Sequence, residues 1–399
     1  MRLVLYTGKG GVGKTTTAAA AAVCAAERGR RTLVASADSA HSLGDVLEHR
    51  LGAEPSAIAP RLHAVEIDAR SETARHWGRI QDYLVSMFLY QGIEAVVAEE
   101  LALLPGAEEI VTLLAVEQFV ESGEYDLVIV DCAPTDAALR LATLPEVARG
   151  MLHVVLPALE ALSGIAVPVA RRLVSIPLPE AGVFEDVEEL IYRRFAALQR
   201  RLTDPGTSVR LVVTPERMVI DEARRAHTEL SLFEVHCDAV VLNRLLPPEA
   251  EEVAFFRSWR RREEERHREV EALFAPLPVL PAPLQDDEVT GLARLARHGA
   301  ILFADCEPDD VLSTGARVRF EREPAGGYRA VVPLPCGGRE GLDVVKIDDD
   351  LVVSTGARRR AIRLPRRVAP LALAEARLDE KSLIVRFTRR PAESGIGTR

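Results

Sequence analysis

Lysine is scarce in this chain of 399 residues, because only four lysines occur among its 50 lysine and arginine residues. Arginine therefore supplies almost all of the basic side chains. Two of the four lysines, Lys9 and Lys14, nevertheless lie in a single loop near the start of the chain. A compact ammonium fits between anionic oxygens where a planar guanidinium is too large and too rigid, so both lysines are candidates for anion binding.

Cysteine is also scarce, with five residues that are scattered along the chain and never spaced as C-x-x-C. An odd number without that spacing argues against both a disulfide framework and a four-cysteine zinc site, and it fits a reducing cytoplasm. The chain opens on an apolar strand pattern with no cleavable apolar core of a secretory signal. We therefore expect a cytoplasmic protein.

Long uninterrupted apolar runs are scarce as well. Residues 151–170 come nearest to a membrane span, but they contain Pro157, Glu160 and Pro168. Prolines near both ends would break an isolated helix in lipid. We expect a buried or groove-lining helical hairpin there and no integral membrane span.

The remaining composition is that of an ordinary soluble protein, 48 % hydrophobic and 28 % charged. A chain of this length can form more than one core, so two domains are expected. Charge is divided unevenly, since residues 1–307 carry a net charge of −15 and residues 308–399 a net charge of +5. The two parts are therefore expected to be different modules.

The loop that carries Lys9 and Lys14 lies between an apolar run and an alanine-rich segment, which predicts a strand, a loop and a helix. Residues 8–15 match the P-loop pattern G-x-x-x-x-G-K-(S/T). Glycines let backbone N–H groups surround phosphate, Lys14 is placed for the β and γ phosphates, and the Thr15 hydroxyl can bind Mg²⁺. ATP and Mg²⁺ are the predicted ligands. The predicted nucleotide-binding residues of the loop are Gly8, Lys9, Gly10, Gly11, Val12, Gly13, Lys14, Thr15 and Thr16.

Two aspartates follow β-rich runs farther along the chain. Asp38 comes after residues 31–37 and either caps the next helix or acts as a switch that senses the γ-phosphate. Asp131 ends the apolar run 127–130, as expected of a Walker B carboxylate that acts on Mg²⁺ through water. Open α/β sheets bind ligands at the carboxyl ends of their strands. These patterns predict a doubly wound, mostly parallel α/β sheet.

Three motifs in order resemble the arsenite-pump and tail-anchored-protein-targeting ATPase family. They are the Lys9-bearing P-loop, D-S-A-H-S at residues 38–42 and D-C-A-P-T at residues 131–135, and the likeness extends over roughly residues 1–303. A lysine at the position of Lys9 is typical of the deviant P-loop group, whose members dimerise on ATP and send that lysine to the partner's phosphates. The resemblance therefore implies a homodimeric ATPase.

The same resemblance implies roles for individual residues. It assigns Asp38 and Lys9 to catalysis, and Thr15 and Asp131 to the metal. Asn243 would hydrogen-bond adenine, although a buried asparagine at a strand end could instead satisfy only backbone groups. Pro281 would lie in the loop over the base.

Several positions depart from the family pattern. Asp136 and Ala137 stand where the family usually has Gly-His, which puts the usual coupling of that switch in doubt. Residues 247–262 contain no C-x-x-C, so no zinc clasp is expected. Residues 104–110 lack the cysteine that an arsenite site would need, which argues against arsenite binding.

Long helical patterns occur between the two switch motifs, at about residues 70–120 and 150–205. In the family this region forms a hydrophobic groove over the dimer, but simple core packing explains the pattern equally well. Only four methionines occur in the chain, so the adaptable methionine-rich lining of promiscuous binders is missing. The mixed charge run at residues 259–266 is typical of a solvated helix rather than a nucleic-acid site.

Beyond residue 305 the pattern alternates with period two, which predicts a small all-β sandwich. Residues 351–365 and 376–385 resemble the α-crystallin domain of small heat-shock proteins. The arginines of residues 358–367 lack interleaved aromatic residues and do not favour RNA binding. The predicted division is an ATPase domain at 1–303, a linker at 304–312, a β-sandwich at 313–390 and a disordered tail at 391–399.

The expected function is an ATP-hydrolysing dimeric switch that binds and releases a hydrophobic client, by analogy a protein segment. Three alternatives remain open. They are a partition or positioning ATPase of the same P-loop group, an anion-transport ATPase subunit, and a nucleotide-gated structural module with negligible turnover.

Overall fold

The computed structural model describes residues 1–37, 42–68, 72–73, 78, 81–82, 85–86, 88–89, 92–102, 107–132, 193–324, 326–336, 341–356 and 358–389. Asp38, the residues that replace Gly-His at 136–137, and the apolar segment 151–170 lie outside this part of the chain. So does most of the predicted helical groove. Among the helices of the described part, none is long and apolar enough to span a bilayer.

A large sheet forms the N-terminal part of the described chain, between residues 2 and 283. Its strands are β1 Arg2–Thr7, β2 Thr32–Ser36, β3 Ser56–Ala59, β4 Leu62–Glu66, β5 Leu127–Asp131, β6 Thr207–Val213, β7 Cys237–Leu245 and β8 Val279–Pro283. Their order is β3-β4-β2-β5-β1-β6-β7-β8, and every pairing is parallel except that of β3 with β4. The central strands are almost continuously apolar and buried, as strands covered on both faces must be. The predicted α/β sheet is confirmed.

Helices connect these strands. They are α1 Lys14–Glu27, α2 Ser42–Leu47, α3 Ala95–Ala102, α4 Ala107–Glu121, α5 Phe195–Leu202, α6 Arg217–Leu232, a 3-10 helix Pro248–Glu252, α7 Ala254–Phe274 and α8 Gly291–Leu302. From β1 the chain passes through α1 toward β2, whereas from β6 it passes through α6 toward β7, in the opposite direction. The loop after β1 therefore lies where the winding of the sheet reverses, which is where open α/β sheets bind ligands.

The alanine-rich helix α1 packs close to α8. Five consecutive alanines at residues 18–22 are fully buried. A Cβ on Gly299 would lie 2.5 Å from the carbonyl oxygen of Ala20, so only glycine permits this approach. The P-loop helix is thereby held firmly in the body of the protein.

Two antiparallel sheets form the C-terminal part. One has the order β14-β15-β10-β9 and the other β11-β12-β13. Their strands are β9 Arg319–Arg322, β10 Tyr328–Pro333, β11 Leu342–Ile347, β12 Asp350–Thr355, β13 Arg358–Arg363, β14 Ala372–Asp379 and β15 Ser382–Thr388. On β15, Leu383, Val385 and Phe387 are buried whereas the residues between them are not, which is the period of two that the sequence predicts. The all-β prediction is confirmed, and the arginine run proves to begin with strand β13.

The segment between the two parts is bound to the base of the large sheet. Arg210 donates from Nη1 to the carbonyl oxygen of Pro308 at 2.9 Å and from Nη2 to that of Asp310 at 3.0 Å. Arg2 donates to the same carbonyl of Asp310 at 3.2 Å. Both guanidiniums also pair with Asp238, which is completely buried. This part of the predicted linker is therefore fixed by buried charge-assisted hydrogen bonds.

Candidate nucleotide-binding site

The glycine-rich loop after β1 depends on close backbone packing. A Cβ on Gly8 would lie 2.2 Å from the carbonyl oxygen of Val212 on β6, and one on Gly13 would lie 2.4 Å from Nδ2 of Asn243. Gly13 has a left-handed backbone with φ of 91° and immediately precedes helix α1. Glycine is required at both positions, because any side chain would displace the loop. Gly10, in contrast, has open space around its Cβ position.

Lys14 begins helix α1 and is buried, with 6 % of its surface exposed. Its Nζ lies 3.4 Å from the carbonyl oxygen of Lys9, so the side chain folds back along the loop. The Thr15 hydroxyl, at the first turn of α1, lies 3.3 Å from the hydroxyl of Ser42 at the start of α2. An ammonium, a hydroxyl and a helix N-terminus therefore meet at one concave loop, which is the chemistry that binds phosphate.

Asp131 ends β5 beside the P-loop strand. It is paired in register with Tyr6 on β1 and with Ser36 on β2, and it has no exposed surface. Burial is the main reason that the pKa of the adjacent Cys132 thiol is raised, and the negative charge of Asp131 raises it further. The positive charge of Lys14 lowers the same pKa. The carboxylate of Asp131 and the ammonium of Lys14 are therefore both close to the carboxyl end of β5.

These groups fit a magnesium ion bound together with a nucleotide. The protein donors are the hard oxygens of Thr15 and Asp131, and Mg²⁺ usually takes only one or two protein ligands alongside phosphates and waters. Within the described residues, no group of three or more His, Cys, Asp or Glu side chains could hold a metal by itself. The oxygens of Thr15 and Asp131 therefore fit a magnesium site that is completed by phosphate oxygens of the nucleotide and by water.

Asn243 lies near the carboxyl end of β7 and contacts the P-loop directly. Its Nδ2 donates to the carbonyl oxygen of Val12 at 2.8 Å, and its Oδ1 accepts from the backbone N–H of Arg244 at 2.9 Å. The side chain therefore satisfies backbone groups, as in the alternative that the sequence left open. Pro281 on β8 is exposed and lies one strand away, paired with Leu242. Recognition of adenine by these two residues stays a prediction.

Lys9 behaves differently from Lys14. Its side chain is 38 % exposed, and its Nζ lies 4.0 Å from Oε2 of Glu222 on α6. The ion pair is long and accessible to water, so it holds the lysine only weakly. Lys9 is thus available for an anion outside its own loop.

The sequence missed two contacts of this site. Ser42 belongs to the D-S-A-H-S motif, and a hydroxyl at that position was the signal for its approach to Thr15. Glu222 carried no such signal, since it is one of many carboxylates on helix surfaces. Asp38, the predicted switch residue, lies outside the described residues.

Comparison with known proteins agrees with this architecture. A family described as anion-transporting ATPases matches residues 1–304, and an HSP20-like domain found in ArsA matches residues 325–387. A protein of Aquifex aeolicus (strain VF5) named "Putative arsenical pump-driving ATPase 1" is 32 % identical over 395 residues, which cover 96 % of this chain and 99 % of that protein. The "ATPase ASNA1 homolog" of Trypanosoma cruzi (strain CL Brener) is 27 % identical over 339 residues, which cover 77 % of this chain and 93 % of that protein.

The resemblance inferred from the three motifs is confirmed by these matches, and so is the likeness of the C-terminal sheets to a small heat-shock domain. The family match covers well over half of the chain, and the relative from Aquifex aeolicus matches it almost from end to end. The chain therefore belongs to the family of anion-transporting ATPases and carries an HSP20-like domain of the kind found in ArsA.

Proposed function

We propose that this protein hydrolyses ATP as a homodimer and uses the nucleotide cycle to bind and release a hydrophobic client, by analogy a protein segment. The observation that carries the proposal is the P-loop at the reversal point of the sheet, with Lys14 and Thr15 at the start of a buried helix. Membership of an ATPase family supports the hydrolytic step.

Each group in the loop has a distinct task under this proposal. Lys14 and the backbone N–H groups bind the β and γ phosphates, while Thr15 and Asp131 hold Mg²⁺, which neutralises phosphate charge when bound. Asp38 orients or deprotonates the attacking water. Lys9, which a long and water-accessible ion pair with Glu222 holds only weakly, reaches the nucleotide of the second subunit.

Of the two relatives described above, only one has a name that states a cargo. One is named for an arsenical pump and the other as an ASNA1 homolog. A soft metalloid is bound by several thiols that converge on it, but within the described residues, which include all five cysteines, no group of three or more His, Cys, Asp or Glu side chains is placed to hold such an ion. This chemistry favours the hydrophobic client over an arsenical.

The hydrolytic part of the proposal can be tested with substitutions in the two motifs. Lys14→Ala should abolish ATP binding, whereas Asp38→Asn should retain ATP and lose turnover by roughly 10²-fold or more. Lys346→Ala, which changes a lysine on strand β11 far along the chain, is the matched control and should leave both unchanged. Wild-type turnover of Asp38→Asn would overturn the catalytic assignment, and negligible turnover of the unaltered protein would favour a nucleotide-gated structural role.

The client part needs a separate measurement. Binding of an apolar fluorescent dye or an apolar peptide should differ between the ADP-bound protein and the ATP-trapped Asp38→Asn variant. A ligand that does not distinguish two states cannot be coupled to them. Equal binding in both states would therefore remove the client cycle, and sedimentation of the ATP-bound protein with DNA would favour a partition ATPase instead.

A further inference from the structure

A cavity lies at the base of the large sheet, where the C-terminal sheets pack against it. Its wall is formed by the loops that precede β6, β7 and β8, by helix α6, by the segment 311–317, and by the end of β10 and the start of β15. The cavity encloses about 540 Å³, which is within the roughly 300–1,000 Å³ of small-molecule sites. These loops precede their parallel strands, whereas the P-loop follows β1, so the cavity and the nucleotide site lie at opposite edges of the sheet.

Most of the cavity wall is apolar. The apolar contribution comes from both parts of the chain and includes Pro205, Val235, Leu277, Pro333 and Pro335. Proline and buried valine side chains have little freedom to lose, so this wall is largely formed before any ligand arrives. An inorganic ion would leave such a wall uncovered. The wall therefore fits an occupant with an apolar body.

His227 supplies a polar group to this wall from helix α6. The residue is buried, with 6 % of its surface exposed, and what remains accessible belongs to the cavity. Its Nδ1 lies 3.6 Å from Sγ of Cys336, whereas its Nε2 has no hydrogen-bond partner among the residues that the structure describes. In one of the two neutral tautomers, and in the charged ring, Nε2 is a donor. A ligand oxygen would satisfy this nitrogen.

The charges that act on His227 are positive. Burial is the main reason that its pKa is lowered to about 4, and the positive charges of His236 and Lys381 lower it further. Glu234 also lines the cavity, but its Oε2 already pairs with Arg360 at 3.1 Å. A negatively charged ligand group beside His227 would therefore be attracted rather than repelled.

The two remaining charged side chains of the wall have opposite signs. Asp204 accepts from the backbone N–H of Gly206 at 2.7 Å, and Arg317 donates to the carbonyl oxygen of Thr203 at 3.1 Å. They therefore add no net charge to the cavity. Its positive character comes from the side where His227, His236 and Lys381 lie.

Lys381 is one of only four lysines in a chain whose other basic side chains are arginines. It immediately precedes β15, its side chain is exposed, and its Nζ donates to the carbonyl oxygen of Ala275. An ammonium has three donors, so two remain for a ligand. Lys9 and Lys14 are the chain's other lysines at a predicted anion site. A compact ammonium at the cavity likewise suits a small anionic group.

We propose that this cavity binds a small organic carboxylate, with its charged group between Lys381 and Nε2 of His227 and its apolar body against the proline-rich wall. The site does not depend on the proposed ATP cycle, because it lies at the opposite edge of the sheet from the P-loop. Its occupant contacts α6, the segment 311–317 and the C-terminal sheets at once. Binding therefore stabilises the contact between the two parts of the chain.

The first test compares three probes by isothermal titration calorimetry on the nucleotide-free full chain. Octanoate has both the carboxylate and the apolar chain, octanol has only the apolar chain, and acetate has only the charge. Octanoate should bind at one site per chain with a dissociation constant below about 1 mM, and the two other probes at least about tenfold more weakly. Octanol that binds as tightly as octanoate, or octanoate that does not saturate, would overturn the proposal.

The second test locates the site with substitutions. Lys381→Met removes the ammonium but keeps an unbranched side chain, and Ser231→Leu fills part of the cavity from helix α6. Each should weaken octanoate binding at least about tenfold. Lys346→Met is the matched control, because Nζ of this lysine on β11 donates to the carbonyl oxygen of Asp348 at 2.7 Å, away from the cavity. It should bind octanoate as the wild type does.

ATP bound per chain shows whether each variant has folded, since none of these substitutions touches the P-loop. Octanoate that binds equally well to Lys381→Met and Ser231→Leu would occupy another apolar surface, which overturns the cavity site and leaves the proposed ATP cycle intact. If a variant loses ATP as well and is therefore misfolded, the comparison of octanoate with octanol on the wild type still decides the matter.

Discussion

At the scale of single residues, the P-loop shows what a sequence can and cannot predict. Gly8, Lys14 and Thr15 were identifiable because the pattern is local and its chemistry demands those residue types. The hydrogen bond from Asn243 to Val12 was not, because 231 positions separate the two residues. Strand β6 also lies between β1 and β7 in the sheet. Only the strand order brings that amide to the loop.

The packing of the loop predicts unequal effects for two glycines. Gly8→Ala should lower the free energy of unfolding by at least about 2 kcal/mol, because its Cβ would lie 2.2 Å from a backbone oxygen that cannot move aside. Gly10→Ala, with open space at its Cβ, should change it by less than about 0.5 kcal/mol. Urea unfolding of the nucleotide-free proteins measures both. Equal effects would show that the loop relaxes freely.

At the scale of elements, buried charges join three strands to the segment that follows α8. Arg2 on β1, Arg210 on β6 and Asp238 on β7 are all nearly or completely buried. Burial opposes the charge of Arg210, yet Tyr6 and Asp238 raise the pKa of its guanidinium above the ordinary value. A charged residue inside an apolar strand was the visible sign of this cluster, but its partners could not be read from sequence because they lie on different strands.

Removal of the shared carboxylate should be costly. Asp238→Asn leaves two buried guanidiniums without their counter-ion and should lower the free energy of unfolding by about 3–5 kcal/mol. Asp126→Asn breaks an ion pair with Arg31 in which the Asp126 side chain is 40 % exposed and the Arg31 side chain 53 %. This substitution should change the free energy of unfolding by less than about 1 kcal/mol. Denaturant titration of both variants checks this. Similar losses would mean that the cluster is not the anchor described above.

At the scale of the whole molecule, helix α6 carries contacts to both the loop and the C-terminal sheets. Its Glu222 faces Lys9, while farther along it Glu229 pairs with Arg358 and the carbonyl oxygen of Leu232 accepts from Arg360. The compositional change along the chain predicted two modules but gave no sign of their contact. Arg358 and Arg360 are two residues apart on β13, so their side chains point to the same face of the sheet, and that face lies against α6. The domain boundaries at residues 303 and 313 stay a prediction.

His227 makes this contact sensitive to pH. It lies 3.6 Å from the Cys336 thiol, and burial, followed by the charges of His236 and Lys381, lowers its pKa to about 4. An unfolded chain has a histidine pKa near 6.5, so it binds more protons than the folded chain between those values. The stability that the folded protein keeps while His227 is neutral is therefore fully present above about pH 6.5, and the free energy of unfolding falls as the pH falls toward 4.

The expected loss is roughly 2–4 kcal/mol of unfolding free energy between pH 6.5 and 4. The glutamine of His227→Gln cannot titrate, so the free energy of unfolding of this variant should fall by roughly 2–4 kcal/mol less than that of the wild type between pH 6.5 and 4. His267→Gln, which changes a histidine that is partly exposed on α7, should follow the wild type. Denaturant unfolding at several pH values measures the difference. Parallel curves for wild type and His227→Gln would contradict the role of this histidine.

The central claim is that two copies share their nucleotide sites, with Lys9 acting on the partner's nucleotide and Asp38 on its own. Homodimers of Lys9→Ala and of Asp38→Asn should each be nearly inactive. In a mixed dimer, the nucleotide of the Lys9→Ala subunit keeps its own Asp38 and receives Lys9 from the partner. One site is then complete, while the other lacks both groups.

The decisive measurement is therefore ATP hydrolysis after the two inactive variants are mixed and subunit exchange has been demonstrated with labelled chains. The account predicts that activity reappears on mixing. Each mixed dimer has one complete site out of two, so its rate should reach up to about half of that of a wild-type dimer. If Lys9 served its own subunit, both sites of the mixed dimer would still lack one group. Confirmed exchange without any recovered hydrolysis would contradict the shared site.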